Sequence, residues 1–282
     1  VMAKILNDLQ LQKYNTDGYC HPFDVLTPKE SVYCLNKLET YERVSGGAIG
    51  GIYRHKPHLL FPWLHDLVNH TLVLDAIEDV LGPDILCWGS SFFNKEARDP
   101  AYVSWHQDAN YWGLDRPDVC TAWIAFTPSN TSNGCMRVIP GSHEKDLKHI
   151  DTYHEHNLLS RGQEISVDVD EAKAVDLELS PGQMSLHHVG IVHGSNPNKS
   201  NKRRIGFAVR YIASHVRQTL GPLDFATLVR GQQTHDYWEL EPRPKAELDP
   251  DAIAYHANVC ATQGKMLYAG AEIEPFASRN EH

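Results

Sequence analysis

Apolar side chains at Trp63, Leu64, Leu67, Leu72, Leu74, Ile77 and Leu81 recur at helical spacing and stop at Gly82 and Pro83, which predicts a helix over residues 61–84 with one buried face. An earlier helix is predicted over 28–43, where Thr27 and Pro28 stand ahead of Glu30 as a helix start. Beyond residue 84 the pattern changes to short β-type runs divided by Gly, Pro, Asn and Ser. The runs cover 85–93, 101–108, 119–128, 135–140, 174–179, 183–195 and 203–212. About seven such strands predict a two-sheet sandwich or jelly roll. After residue 215 the chain turns polar, with an exposed stretch ahead of a short helix over 251–262. The expected organisation is a single domain of 1–282: a helical segment over 1–84, a β core over 85–215 and an extension over 216–282.

Composition narrows the function classes. The 282 residues carry 26 basic and 36 acidic side chains, a formal charge of -10. Nucleic-acid binders need a basic surface to displace counterions from phosphates, so DNA and RNA are not expected partners. No apolar run reaches the ~18 residues that span a bilayer. The start of the chain lacks the long apolar core of a secretory signal. A cytoplasmic protein acting on a small molecule is expected, as a monomer or a homodimer. Six cysteines are scattered without paired spacing and read as reduced, buried thiols.

Seventeen histidines supply candidate ligands. They also make chance motifs common, and a bare His-x-Asp is expected about once in such a chain. His106-Gln107-Asp108 is one match and His149-Ile150-Asp151 another. On a strand, residues i and i+2 share a face, so His106 and Asp108 can converge while Trp105 and Gln107 face away. His149 and Asp151 lie in a polar stretch expected to run from helix to loop, where this spacing splays the side chains, and they read as solvated surface.

A third ligand is sought in "SLHHVGIVHGSNP", among His187, His188 and His193. His193 precedes Gly194, Ser195, Asn196 and Pro197, which places it at a strand end, and Ser195 shares its face. Two histidines and one carboxylate leave three cis positions open on iron(II). A keto-acid co-substrate would also need a cation for its far carboxylate, a task suited to the planar fork of arginine. Strand parity selects Arg204 over Arg203. Arg204, Gly206, Ala208 and Arg210 form a face of small residues and guanidinium groups, whereas Arg203, Ile205, Phe207, Val209 and Tyr211 form a packing face.

His106-x-Asp108 followed by "HGSNPNKSNKRRIGFAVRY", with Arg204 eleven positions after His193, resembles the phytanoyl-CoA dioxygenase family of iron(II)- and 2-oxoglutarate-dependent oxygenases. "NGCMRVIPGSH" over 133–143 is similar to the family's strand and turn between the two halves of the site. The resemblance covers roughly 85–215 and implies a mainly β fold with flanking helices, a double-stranded β-helix of the cupin-like, jelly-roll kind. It implies iron(II) held by His106, Asp108 and His193, with 2-oxoglutarate and O2 as co-substrates. Arg204 and Ser195 would hold the distal carboxylate, Trp123 would pack on the co-substrate, and Lys95 lies near a lysine found in some relatives. Halogenating relatives replace the carboxylate ligand by a small residue; Asp108 is present, so hydroxylation or another oxidation of an unactivated C–H bond is expected. Candidate substrate contacts are Asn110, Tyr111, Trp112, Arg137, His188 and Arg210, with residues 151–173 as a covering flap.

The same residues admit rival readings. Either histidine alone is more often a hydrogen-bonded strand residue than a ligand, and Trp123 alone is core packing as often as not. A cupin-like binding protein without catalysis would share the fold, and a zinc hydrolase would share the ligand types. Arg204 and Ser195 argue against the first, since a metal-only site needs no carboxylate clamp.

Overall fold

The computed structural model describes residues 4–159, 163–166 and 169–269. Its core is a β-sandwich. The large sheet has the order β1 (Tyr19–Asp24), β9 (Gln183–His188), β4 (Val119–Ala125), β11 (Arg204–Ala213), β2 (Ile85–Lys95), β12 (Phe225–Arg230) and β13 (Glu239–Leu240). The small sheet has the order β3 (Val103–His106), β10 (Val192–Ser195), β5 (Met136–Ile139) and β8 (Val175–Leu177). The strand pairs within these sheets are antiparallel except β12 with β13. A separate hairpin joins β6 (His149–Asp151) to β7 (Gln163–Ile165). This is the expected jelly-roll class.

Helices α1 (Asp8–Asp17), α2 (Pro28–Ser45), α3 (Pro62–Val68) and α4 (Thr71–Leu81) cover one face of the large sheet. Thr27 caps α2 through a reciprocal bond with Glu30, which satisfies two otherwise orphaned N–H groups. The single helix expected over 61–84 is instead two. The Asn69 side-chain amide donates to the His65 carbonyl at 2.8 Å and ends α3 before Thr71 starts α4. Leu64, Leu67, Val68, Val73 and Ile77 pack with Ile205, Phe207, Val209 and Tyr211 in one core. Each such side chain contributes about 1.5–3 kcal/mol by burial. Tyr211 also donates to the Val68 carbonyl at 2.9 Å, fastening β11 to α3.

The alternate residues of β11, Arg204, Ala208 and Arg210, line a cavity between the sheets. Beside Arg210 the register with β2 slips. Arg210 is opposite Gly89 and Tyr211 opposite Cys87, so Trp88 is an extra residue on β2, a bulge that adds a side chain to the cavity wall. The run expected as one strand over 183–195 is two strands in different sheets, joined by a turn at Val189–Ile191 in which Ile191 N–H returns to the His188 carbonyl at 3.0 Å. The short C-terminal helix is longer than expected, α6 (Pro250–Leu267). No helix among the described residues is long and apolar enough to cross a membrane. All six cysteines are buried and free.

Candidate active site

His106 ends β3 and stands opposite His193 on β10. Asp108 is not on the strand, contrary to the expectation that strand alternation aligns it with His106. It is the first residue outside a short helix, α5 (Ala109–Trp112), with helical φ −64° and ψ −36°, and the turn swings its carboxylate back. His106 Nε2 lies 3.2 Å from Asp108 Oδ1 and His193 Nε2 lies 3.9 Å from Oδ2. The ligand atoms of the three residues fall within 4.8 Å of one another, and among the described residues no other trio of such side chains converges this way.

The geometry tests whether a metal fits. His106 Nδ1 donates to the Ser104 carbonyl at 2.9 Å and His193 Nδ1 to that of Ile191 at 3.0 Å. Both bonds set the tautomer that leaves Nε2 lone pairs aimed at Asp108. Burial, then the neighbouring His106, pushes His193 down to about 4, so it is neutral near pH 7. Burial acts to raise Asp108, but the His106 hydrogen bond and the charges of His193, His106 and Arg210 outweigh it and hold the carboxyl below its ordinary range. Two imidazoles and one carboxylate are the donor set that iron(II) takes facially.

His149 also departs from its expected setting. With Asp151 it forms β6, a strand rather than a solvated helix-to-loop stretch. Its Nε2 accepts the Gln107 N–H at 2.8 Å, so it braces the backbone between His106 and Asp108 instead of competing for metal.

About 190 Å³ of cavity opens beside the triad. Arg204, 2% exposed, donates to the carbonyls of Gly134 at 2.8 Å and Phe93 at 3.3 Å, and its Nε has no partner among the described residues. Its guanidinium lies 5.3 Å from the Trp123 ring. Lys95 is its register partner on β2 and donates to Ser195 Oγ at 2.7 Å and to the Asn196 carbonyl. Burial and then Arg204 push the Lys95 amine down to about 6, and burial brings Arg204 to about 10. Among the described residues neither makes an ion pair. The tight turn at Gly134, φ +74°, lets its backbone reach this corner; a Cβ there would lie 2.1 Å from the Asn196 carbonyl. Gly206 is equally constrained, since a Cβ would lie 1.8 Å from Trp123 Cζ2. Two cationic groups, a hydroxyl and an aromatic floor fit a dicarboxylate.

Of the candidate substrate contacts, Tyr111, Trp112 and Arg210 line the cavity, and three do not. His188 faces α1, beside Tyr14 and His143; His187 is the cavity residue, because Met184 and Leu186 set the phase of β9 towards the helices. Arg137 points outward from β5, paired with Glu171 at 2.7 Å and Asp176 at 3.3 Å, since Met136 and Val138 occupy the inner face. Asn110 is bound to the Leu147 carbonyl at 2.8 Å on the outer side of α5. Of the flap residues, Leu158, Leu159 and Gln163 line the cavity; residues 160–162, 167 and 168 lie outside the described residues.

Sequence reasoning missed the opposite wall. Arg54, His55 and Lys56 arrive from the turn after α2, and Gln263, Leu267 and Tyr268 from the end of α6. Behind them Lys56 pairs with Glu241 and donates to the Phe225 carbonyl at 3.0 Å. His58 contacts Ser90 Oγ at 2.6 Å and Glu241 at 3.4 Å, and Thr227 donates to Glu241 at 2.8 Å. No local pattern brings these segments together.

A family model described as phytanoyl-CoA dioxygenase matches residues 14–206. A probable alpha-ketoglutarate-dependent hypophosphite dioxygenase of Stutzerimonas stutzeri is 29% identical over 191 residues, covering 66% of each chain. The solved structure of apo ThoJ, a non-heme monooxygenase, superposes with a TM-score of 0.82 at 35% identity over 92% of this chain and 97% of that one. The human peroxisomal phytanoyl-CoA dioxygenase is 27% identical over 147 residues, 50% of this chain and 44% of its own. The chain thus spans two thirds or less of these curated relatives. The human relative and its bovine counterpart are peroxisomal by name, which overturns the cytoplasmic expectation: an acidic, small-molecule-type composition does not separate cytosol from organelle.

Proposed function

Because this chain belongs to the phytanoyl-CoA dioxygenase family, we propose that it is a non-haem iron(II)- and 2-oxoglutarate-dependent oxygenase that hydroxylates or otherwise oxidises an unactivated C–H bond of a small molecule. The convergence of His106, Asp108 and His193 within 4.8 Å carries this reading. When bound, iron with 2-oxoglutarate and dioxygen supplies the oxidising power, and succinate and carbon dioxide leave.

The chain's own residues hold and shield that chemistry. His106 and His193 present Nε2 because carbonyls hold their Nδ1 protons. Asp108 supplies the single negative ligand. Arg204 forks onto the distal carboxylate of 2-oxoglutarate over the Trp123 ring, and Ser195 and Lys95 complete that pocket. Trp88 and Trp112, 5.1 Å apart, exclude water from the side facing the substrate.

The test is succinate release that needs both iron(II) and 2-oxoglutarate. Asp108→Ala should lower it by more than about a hundredfold, beyond the loss expected from disturbing a ligand's support, with the circular dichroism spectrum unchanged. A fully active Asp108→Ala protein would overturn the assignment.

A further inference from the structure

Asp108 is the one carboxylate lining the cavity among the described residues, against the cations Arg54, Lys56, Arg204 and Arg210. This is unexpected in a chain of net charge -10. Lys56 is neutralised by Glu241. On the proposed function, on which this inference rests, Asp108 is committed to the metal and Arg204 to the co-substrate. Arg210 is then left with no assigned anion.

Its surroundings resemble a receiving site. Arg210 lies six residues along β11 from Arg204, roughly 20 Å at ~3.3 Å per residue, and it is the guanidinium whose charge acts on Asp108, His187 and His193. It makes no ion pair among the described residues, and Nη1 donates to Ser91 Oγ at 2.8 Å. The rings of Phe93 and Trp112 each lie 5.7 Å from its guanidinium, which holds it without neutralising it. Arg54 lines the same cavity, both arginines act on half-buried His55, and Arg54 donates to the Leu158 carbonyl at 3.1 Å.

A row across the large sheet extends the site. Arg210 is opposite Thr121, and Thr121 opposite His187. Among the described residues Thr121 Oγ1 and His187 Nδ1 have no hydrogen-bond partner, although both residues are 2% exposed and both line the cavity. Buried polar atoms without partners are costly unless a ligand or water meets them. The apolar side chains at this end are Trp88, Trp112, Leu158, Leu159 and Leu267, with Ser91, Gln263 and Tyr268 among them.

We propose that the substrate is a small organic acid with an apolar body, whose carboxylate or phosphonate oxygens are received by Arg210, with Arg54 at its side and Thr121 and His187 offering further hydrogen bonds. The acid group is then anchored beside the metal, and the apolar body lies against the tryptophans.

The experiment uses anaerobic protein loaded with iron(II) and 2-oxoglutarate and starts from the visible charge-transfer band of that complex. If the band does not form, the oxygenase reading itself fails. With the band present, phenylacetate, benzylphosphonate and the neutral phenylacetamide are titrated while tryptophan fluorescence is followed. At least one acid should bind roughly tenfold more tightly than the amide, and the better acid identifies the oxyanion. Arg210→Met should weaken that acid by roughly 30-fold or more, the effect of removing one partner of a buried charge pair, and the amide by less than about twofold. Arg210→Lys should fall between, because it keeps the charge and loses the fork. Arg54→Met offers an independent arm should Arg210→Met fail to fold, with a smaller loss in the same direction. Equal affinities for acid and amide, or a variant that weakens 2-oxoglutarate as much as the acid, would overturn the proposal.

Discussion

Two buried cationic clusters face the cavity, and they differ in what neutralises them. Lys56 lies against Glu241, which also takes Thr227 and His58. Among the described residues Lys95 and Arg204 are bonded only to neutral oxygens, from Ser195, Asn196, Gly134 and Phe93. A buried charge with its own counter-ion is complete without a ligand, whereas two buried cations without one repel each other and resist ionisation. The first cluster holds a loop to the sheet. The second is finished only by an anion, and a fold that tolerates it is organised around that anion.

The largest expected effect is on the complete cluster. Glu241→Ala leaves Lys56 buried and uncompensated, and should cost about 3–5 kcal/mol in urea denaturation, with no recovery on adding 2-oxoglutarate. If 2-oxoglutarate did restore it, the two clusters would not be distinct.

Lys95 sharpens the contrast through pH. Its folded value of about 6 lies below the ordinary 10.5, so between these values the unfolded chain binds more protons and stability rises with pH. The rise ends above the unfolded value. Lys95→Met should flatten this rise in ligand-free protein. Calorimetry in buffers of different ionisation enthalpy at pH 8 should show uptake of up to about one proton when 2-oxoglutarate binds to the parent protein. Lys95→Met should lose it, and unchanged uptake would place the proton elsewhere.

Gly206→Ala puts a methyl group into the Trp123 ring. It should cost about 1–3 kcal/mol by overpacking and weaken 2-oxoglutarate, read from Tm and the charge-transfer band. The smallest effect is expected at Arg137, an outward cation whose partners Glu171 and Asp176 are solvent-exposed. Arg137→Ala should change stability by at most about 1 kcal/mol and leave succinate release unaltered.

What could be read in advance was whatever depends on local phase. The apolar alternation Ile205, Phe207, Val209, Tyr211 placed Arg204 and Arg210 on the cavity face. The same signal, applied to Met184 and Leu186, would have put His187 rather than His188 inside; applied to Met136 and Val138 it would have turned Arg137 outward. Asp108 lies beside His106 by a geometry other than strand alternation, because one turn of helix and one more strand residue both bring it near that ring. The wall built from Arg54, Lys56 and α6 was not legible, since its segments are distant in sequence and meet only through packing.

The bulge at Trp88 bears on inheritance. The residues on either side of it already pair with consecutive residues of β11, Gly89 with Arg210 and Cys87 with Tyr211. Loss of the single codon for Trp88 would therefore leave both halves of the strand in register and the Arg204 corner untouched, while exchanging an indole for empty space next to Arg210. A lineage could thus remodel the shape of what it oxidises by a three-nucleotide slip, in one generation, without passing through a broken sheet.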